Sequence, residues 1–280
     1  MNKLTVSPSP HIKSNQTTKK IMWAVVISLI PAGIAGVYIF GISSLNVIMF
    51  SILSCIFTEA LFLKFRNKDS KAVLDGSAIL TGLLLAYNLP PQTPFWIPIV
   101  GGMVSIALGK QIFGGLGQNI FNPALVGRAF LQISWPVYKT AWKNPRWWPD
   151  AVSGATPLAK EVTTNFSYMD LFLGNRPGSL GEICVIALLI GALFLIVTKI
   201  ISLHIPLSYM GTVGVITWVF GKEGFFKGDF IFNILAGGVI LGAFFMATDY
   251  VTSPLTKKGR IIFGVGCGIL TAVIRLRGSY

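Results

Sequence analysis

Acidic side chains are scarce in this sequence: ten Asp and Glu stand against 23 Lys and Arg in 280 residues, and charged residues of all kinds make up only 12%. A soluble globular domain carries about twice that share, so water is not the main solvent of this chain. Cysteine is almost absent. Cys55, Cys184 and Cys267 each lie inside an apolar run with no C-x-x-C spacing, which excludes an iron–sulfur ligand set and leaves them as small buried hydrophobes. Histidine occurs only at His11 and His204, and no glycine-rich nucleotide fingerprint follows a strand, so the sequence offers no recognisable nicotinamide-nucleotide site. The net charge of +13 is not gathered on one face but scattered between apolar runs. That placement follows membrane topology rather than nucleic-acid binding.

Apolar residues are what the chain has in abundance, at 53% with a mean hydropathy of +0.69. A bilayer core of about 30 Å takes roughly 20 apolar residues per helical crossing. Nine runs approach that length, at 21–42, 45–65, 74–89, 95–114, 121–135, 182–202, 205–220, 230–248 and 260–274. They predict an all-α integral membrane protein. The first run follows 20 polar residues and continues past the small residues at 32–36 for a full span, so it reads as an uncleaved helix rather than a signal peptide. Several runs are short or contain Gly and Pro, and broken or tilted spans are expected among them.

Placing segment 1–20 in the cytoplasm puts Lys64, Arg66, Lys110, Lys199, Lys257, Lys258 and Arg260 on the same side, while the short loops at 43–44 and 90–94 hold no Lys or Arg. The chain then divides into a cytoplasmic segment 1–20, a first membrane unit 21–135, one long extracytoplasmic loop 136–181 and a second membrane unit 182–280. A connection of that length without clear structure of its own is usually functional. A weak internal repeat sets 80–84 beside 240–244, each followed by a Pro-containing turn and a Gly-rich helix, 99–109 and 263–271. A five-span unit is odd-numbered, so its second copy is inverted, an architecture common in transporters. The second unit shows four spans before Tyr280, and a tenth span is expected to be missing.

The long loop contains Asp150-Ala151-Val152-Ser153-Gly154-Ala155-Thr156-Pro157-Leu158. Thr156 offers a hydroxyl nucleophile, Gly154 and Ala155 leave room for a modifying enzyme and a bulky group, and Pro157 restricts the backbone. Asp150 is placed to bind that enzyme's metal or to orient the loop. On these letters alone, an ordinary small-residue turn explains the stretch equally well. It resembles, however, the flavinylation motif Asp-x-x-Ser/Thr-Gly-Ala-Thr of a family of membrane proteins: the RnfD component of the Rnf ferredoxin:NAD oxidoreductase complex and the NqrB component of the sodium-pumping NADH:quinone reductase. Two more segments are similar to the same family, from Asp75-Gly76-Ser77 through Asn88-Leu89-Pro90-Pro91 and from Gly109-Lys110 through Phe121-Asn122-Pro123-Ala124-Leu125-Val126-Gly127-Arg128-Ala129.

The resemblance implies FMN joined to Thr156 through a phosphoester, with Asp150, Ser153, Gly154 and Ala155 completing the motif. It also implies a second, non-covalent flavin, riboflavin, held among the spans. The short N-terminus and compact length favour the Rnf branch, a redox-driven Na⁺ or H⁺ pump of the bacterial cytoplasmic membrane, matured by a flavin transferase. Electrons must then come from partner subunits that carry iron–sulfur and NAD sites, because this chain has neither.

Ionisable groups at helical depth are costly and therefore informative. They are Glu59, Asp75, Lys110, Arg128, Glu182 and Asp249. Asp75, Lys110 and Glu182 lie at span ends, where interfacial placement accounts for them. Glu59 sits among apolar residues near the basic cytoplasmic loop, which suits an ion path or a salt bridge. Asn119 and Asn122, three apart at the entrance to the fifth span, suit either a heterocycle with carbonyls or helix capping. With Asp249 they are the candidate riboflavin ligands. Two readings without redox chemistry stand beside this one: a solute channel or transporter of inverted-repeat fold, and a structural anchor in a larger assembly.

Overall fold

The computed structural model describes residues 16–67, 70–140, 142–148, 156–158, 166–221 and 224–278, and among these no strand occurs. Helix α1 (Thr18–Phe40) starts where the Thr17 hydroxyl accepts the Lys20 N–H at 3.3 Å, and Gly41 turns the chain directly into α2 (Ile42–Phe65). At 23 and 24 residues, both are about 35 Å long, enough to cross a bilayer. With α12 (Lys257–Arg277) they are three described helices that are long and apolar enough for a full crossing.

The other expected spans are shorter or interrupted. Helix α3 (Ser77–Tyr87) has 11 residues, about half a crossing. Helix α4 (Trp96–Ile106) loosens into a π turn at Ala107–Gln111, and α5 (Pro123–Ser134) follows. The expected span at 230–248 is broken into α10 (Phe230–Leu235) and α11 (Val239–Leu241), the latter running into a second π turn at Gly242–Met246. Irregular backbone at membrane depth is tolerated only where protein or a polar cavity surrounds it, and π turns often mark functional sites. The loop at 136–181 carries short helices of its own, α6 (Pro136–Thr140) and α7 (Tyr168–Leu173), so it has more local structure than its composition indicates. Helices α8 (Val185–Val197) and α9 (His204–Val219) complete the set.

Packing follows from small residues placed at crossings. Helix α8 packs on α1 so closely that a Cβ at Gly191 would collide with the Ser28 carbonyl oxygen, and only glycine permits this approach. Helix α4 runs parallel to α2: Phe50 meets Phe95, and the Ser54 hydroxyl donates to the Ile99 carbonyl at 2.6 Å. Helix α12 runs parallel to α9 in the same manner, with Gly264 against Ile205 and Ser208, and Gly268 against Tyr209 and Thr212. Where α4 begins and α5 ends, Trp96, Trp135 and Tyr138 pack edge to face. Trp147 and Trp148 donate to one Asn175 oxygen at 2.7 and 2.8 Å. Such aromatic clusters suit the boundary between lipid and water.

Candidate functional site

Two cavities lie near opposite ends of this helical frame. The larger, about 1120 Å³, is bounded by one face of α5, by the C-terminal parts of α9 and α12, and by the break between α10 and α11. Thr156, Pro157 and Leu158 form part of its wall. Asp150, Ser153, Gly154 and Ala155 lie outside the described residues, so of the motif only Thr156 can be located.

The α5 face is legible as a stripe: Leu125, Arg128, Ala129 and Gln132 recur at helical spacing and all line the cavity. Arg128 donates from Nη1 to the Asn88 side-chain oxygen at 2.8 Å. From the opposite wall, Arg275 donates to the carbonyls of Asn233 and Ala236, the second at 2.7 Å. Buried Arg176 donates to the carbonyls of Glu182 and Leu235 at 2.8 and 3.1 Å. These hydrogen bonds of the three guanidiniums all end on neutral oxygens. Tyr209 shares a 2.8 Å hydrogen bond with Thr271.

The carboxylates at this cavity are engaged locally. Glu182 accepts the Ser179 N–H at 3.1 Å, and Asp229 caps α10 by accepting the Phe232 N–H at 2.8 Å. Asp229 also accepts the Tyr168 hydroxyl at 2.6 Å, and this carboxylate acceptor raises the pKa of the exposed phenol above its ordinary value. The loop docks through Leu158. A Cβ on Gly237, whose φ is +66°, would meet Leu158 Cδ1 at 2.8 Å and Arg275 Nη2 at 3.0 Å, so glycine is favoured there by conformation, and a larger residue would displace these side-chain ends.

The smaller cavity, about 80 Å³, is lined by Asn119, Asn122 and Asp249 together with Lys110 and Ser77. Asn122 accepts the Ala124 N–H at 3.1 Å and so caps α5, while its amide donates to the Met246 carbonyl at 3.4 Å. Asn119 precedes the helix, and its amide donates to the Phe121 carbonyl at 3.0 Å. Asp249 accepts the Thr252 hydroxyl at 3.1 Å. Small-molecule pockets run to about 300–1,000 Å³, so a flavin between these residues requires the Phe244 and Leu116 walls to part.

Glu59 is buried at 3% exposure, and its Oε1 takes the Lys110 ammonium at 2.5 Å and the Gln111 amide at 3.3 Å. Lys110 also donates to the Ser77 hydroxyl at 2.6 Å, which in turn donates to Asp75. Of the two roles the sequence leaves open for Glu59, the geometry shows the salt bridge. Lys110, expected at the interface, is buried at 1% exposure because the π turn points it inward.

Sequence reasoning leaves Arg275, Arg176 and Tyr209 out of any site, and it flags Arg128 without a role. The available signal is the pairing of Arg128 and Gln132 on one face of an otherwise apolar span. Arg275 lies in a basic tail that looks interfacial.

Taken together, the long apolar helices, the broken spans and a cation-lined chamber between helices define a polytopic helical membrane protein. Residues 5–280 match the model of the NQR2, RnfD, RnfE family, and the chain belongs to that family. It is 47% identical to the D component of the proton-translocating ferredoxin:NAD(+) oxidoreductase complex of Clostridium ljungdahlii, over 100% of this chain and 88% of the relative. It is 46% identical to the D component of the Na(+)-translocating ferredoxin:NAD(+) oxidoreductase complex of Acetobacterium woodii, over 99% of this chain and 86% of the relative. Identity to the D component of the ion-translocating oxidoreductase complex of Stutzerimonas stutzeri is 36%, over 93% of this chain and 84% of the relative.

Proposed function

We propose that this chain is the flavin-carrying membrane subunit of an Rnf-type, redox-driven ion pump, with FMN attached to Thr156 and lodged in the large cavity. The observation that carries the reading is the placement of Thr156 on the wall of a 1120 Å³ chamber lined by Arg128, Arg176, Arg275 and Lys227. That volume accommodates a nucleotide-sized ligand, and guanidinium groups suit a phosphate and an electron-rich ring. Bound FMN supplies one- and two-electron redox chemistry. The chain's own part is to hold the attachment hydroxyl at the cavity rim through Leu158 and Gly237, and to offer hydrogen-bond donors from α5 and α12.

Iron–sulfur and nicotinamide sites belong in this reading to partner subunits, and a flavin transferase acts on Thr156 before or during assembly. The relatives named for protons and for sodium are almost equally similar to this chain, so overall similarity does not assign the coupling ion. The two membrane units are read as inverted copies, supported by the parallel pairing of α4 with α2 and of α12 with α9. Riboflavin is proposed at Asn119, Asn122 and Asp249, supported by their convergence on one cavity.

The decisive test is Thr156→Ala. Its denatured band on a gel should lose flavin fluorescence entirely while the protein still inserts, and Thr156→Ser should keep part of it. A fluorescent band from the Ala variant excludes this attachment site. A channel or an anchor shows no flavin band even in the unchanged protein.

The loop is proposed to face the outside of the cytoplasmic membrane, since five spans precede it and Lys19, Lys20, Lys64 and Lys199 cluster toward the other end. Ser167 caps α7 with Asp170, so a reporter is better placed at neighbouring Met169, which is 65% exposed. Met169→Cys, in a background with the three native cysteines replaced, should react with a membrane-impermeant maleimide in intact cells. Reaction only after lysis reverses the orientation.

A further inference from the structure

We infer that Arg128 and Arg275 form a two-point counter-charge, Arg275 for the phosphoester at Thr156 and Arg128 for the flavin ring, and that Arg128 thereby sets the potential of the flavin; this rests on the FMN reading above. Leu158, two residues beyond Thr156, converges with the Arg275 guanidinium on Gly237. Arg275 and Thr156 line the same chamber, so the Arg275 guanidinium would be the counter-charge for the negative charge that a phosphoester at Thr156 would carry. Arg128 projects from α5 on the other wall of the same chamber. Its bond to Asn88 uses one of about five N–H donors.

An arginine within a membrane helix is stable when it faces a watery cavity or a counter-charge. Among the described residues Glu182 acts on Arg275 only through space, and no carboxylate forms an ion pair with Arg128. Glu182 and Asp229, which line the cavity, are held by Ser179, Phe232 and Tyr168, and neither forms an ion pair with Arg128 or Arg275. The chamber thus holds four cationic side chains against two carboxylates. Were the flavin held there, an electron reaching its ring from a one-electron carrier of a partner subunit without a proton would oxidise that carrier and add one negative charge to the chamber, and the fixed Arg128 cation would stabilise it. The consequence is a higher midpoint potential than the same flavin has without Arg128.

The test is a spectroelectrochemical titration of the FMN in the purified complex, with the covalent band on a denaturing gel as a separate readout of attachment. Arg128→Gln should shift the midpoint to lower potential with the band intact, and Arg128→Lys should restore most of the shift. Gln132→Glu, which adds a negative charge to the same α5 face, should lower the midpoint as well and keeps the test decisive if Arg128→Gln does not assemble. Arg275→Gln should lower flavin occupancy per chain although the Thr156 hydroxyl is present. An unchanged midpoint in both Arg128→Gln and Gln132→Glu, with the band present, overturns the inference and leaves the FMN reading standing. Absence of the band from the unchanged protein removes the FMN reading itself.

Discussion

The two cavities treat buried charge in opposite ways. At the smaller one, Lys110 is met by Glu59 at 2.5 Å, and Ser77, Asp75 and Gln111 extend the network. The Lys110 cation there has its counterpart in Glu59, while Asp75 and Asp249 are held by the hydroxyls of Ser77 and Thr252, and the remaining space is about 80 Å³. At the larger one, Arg128, Arg176 and Arg275 are held by neutral oxygens around a space of about 1120 Å³. A matched pair closes the protein around itself. The larger space is lined by four cations and two carboxylates, with Glu182 offsetting Arg176 and Arg275 through space, and so keeps a net positive lining. The same residue types therefore form a salt bridge at one end and line a cation-rich chamber, the proposed flavin site, at the other.

The strongest way to break this comparison is to unbalance the brace. Lys110→Met leaves the Glu59 carboxylate buried without its cation, and breaking a buried pair from one side costs about 3–5 kcal/mol. Thermal unfolding in detergent should show that loss, and Lys110→Met combined with Glu59→Leu should recover most of it, because replacing both partners by apolar groups is often neutral. If the single variant is as stable as the unchanged protein, the pair is not a brace. Among the described residues one carboxylate oxygen, Glu59 Oε2, has no hydrogen-bond partner, which makes this network sensitive to such a change.

A smaller effect is expected at the rim of the chamber. Gly237 has φ +66°, and its Cβ position is crowded by Leu158 and Arg275. Gly237→Ala places a side chain in the left-handed region, which costs roughly 1–3 kcal/mol, and pushes Leu158 outward. The expected outcome is a modest fall in unfolding temperature together with slower flavin attachment. Normal attachment in this variant would show that Leu158 docking does not position Thr156.

Much of the frame is legible in the sequence because bilayer thickness converts apolar run length directly into helices. The runs at 21–42 and 45–65 become α1 and α2 with boundaries shifted by a few residues. The run at 230–248 is also apolar, yet it becomes two short helices, because Gly237 and Gly238 interrupt the ladder and Arg275 binds the freed carbonyls of Asn233 and Ala236. Hydropathy alone cannot register a carbonyl satisfied from 39 residues away. Thr156 stands out by its motif, and Asn119, Asn122 and Asp249 by their polarity at span ends. The arginines of the chamber stay unassigned at the level of sequence, since a snorkelling cation and one pointing into a cavity have the same letter. Only the face shared by Leu125, Arg128, Ala129 and Gln132 separates them.

The smallest effect separates capping from ligand binding at Asn122. Its side-chain oxygen accepts the Ala124 N–H, so Asn122→Ala removes a helix cap, worth about 1 kcal/mol. Asn122→Ser retains a capping oxygen while removing the amide that donates to the Met246 carbonyl at 3.4 Å. Asn119→Leu removes a donor without touching a cap. If these amides hold riboflavin, Asn119→Leu and Asn122→Ser should each lower the acid-extractable riboflavin per chain with little change in unfolding temperature, and the Thr156 band should be unaffected. If Asn122 acts as a cap alone, Asn122→Ala lowers the unfolding temperature, Asn122→Ser does not, and riboflavin content stays constant in all three variants. That second pattern would make the 80 Å³ cavity a packed junction between the two membrane units and leave the Thr156 chamber as the chain's flavin site.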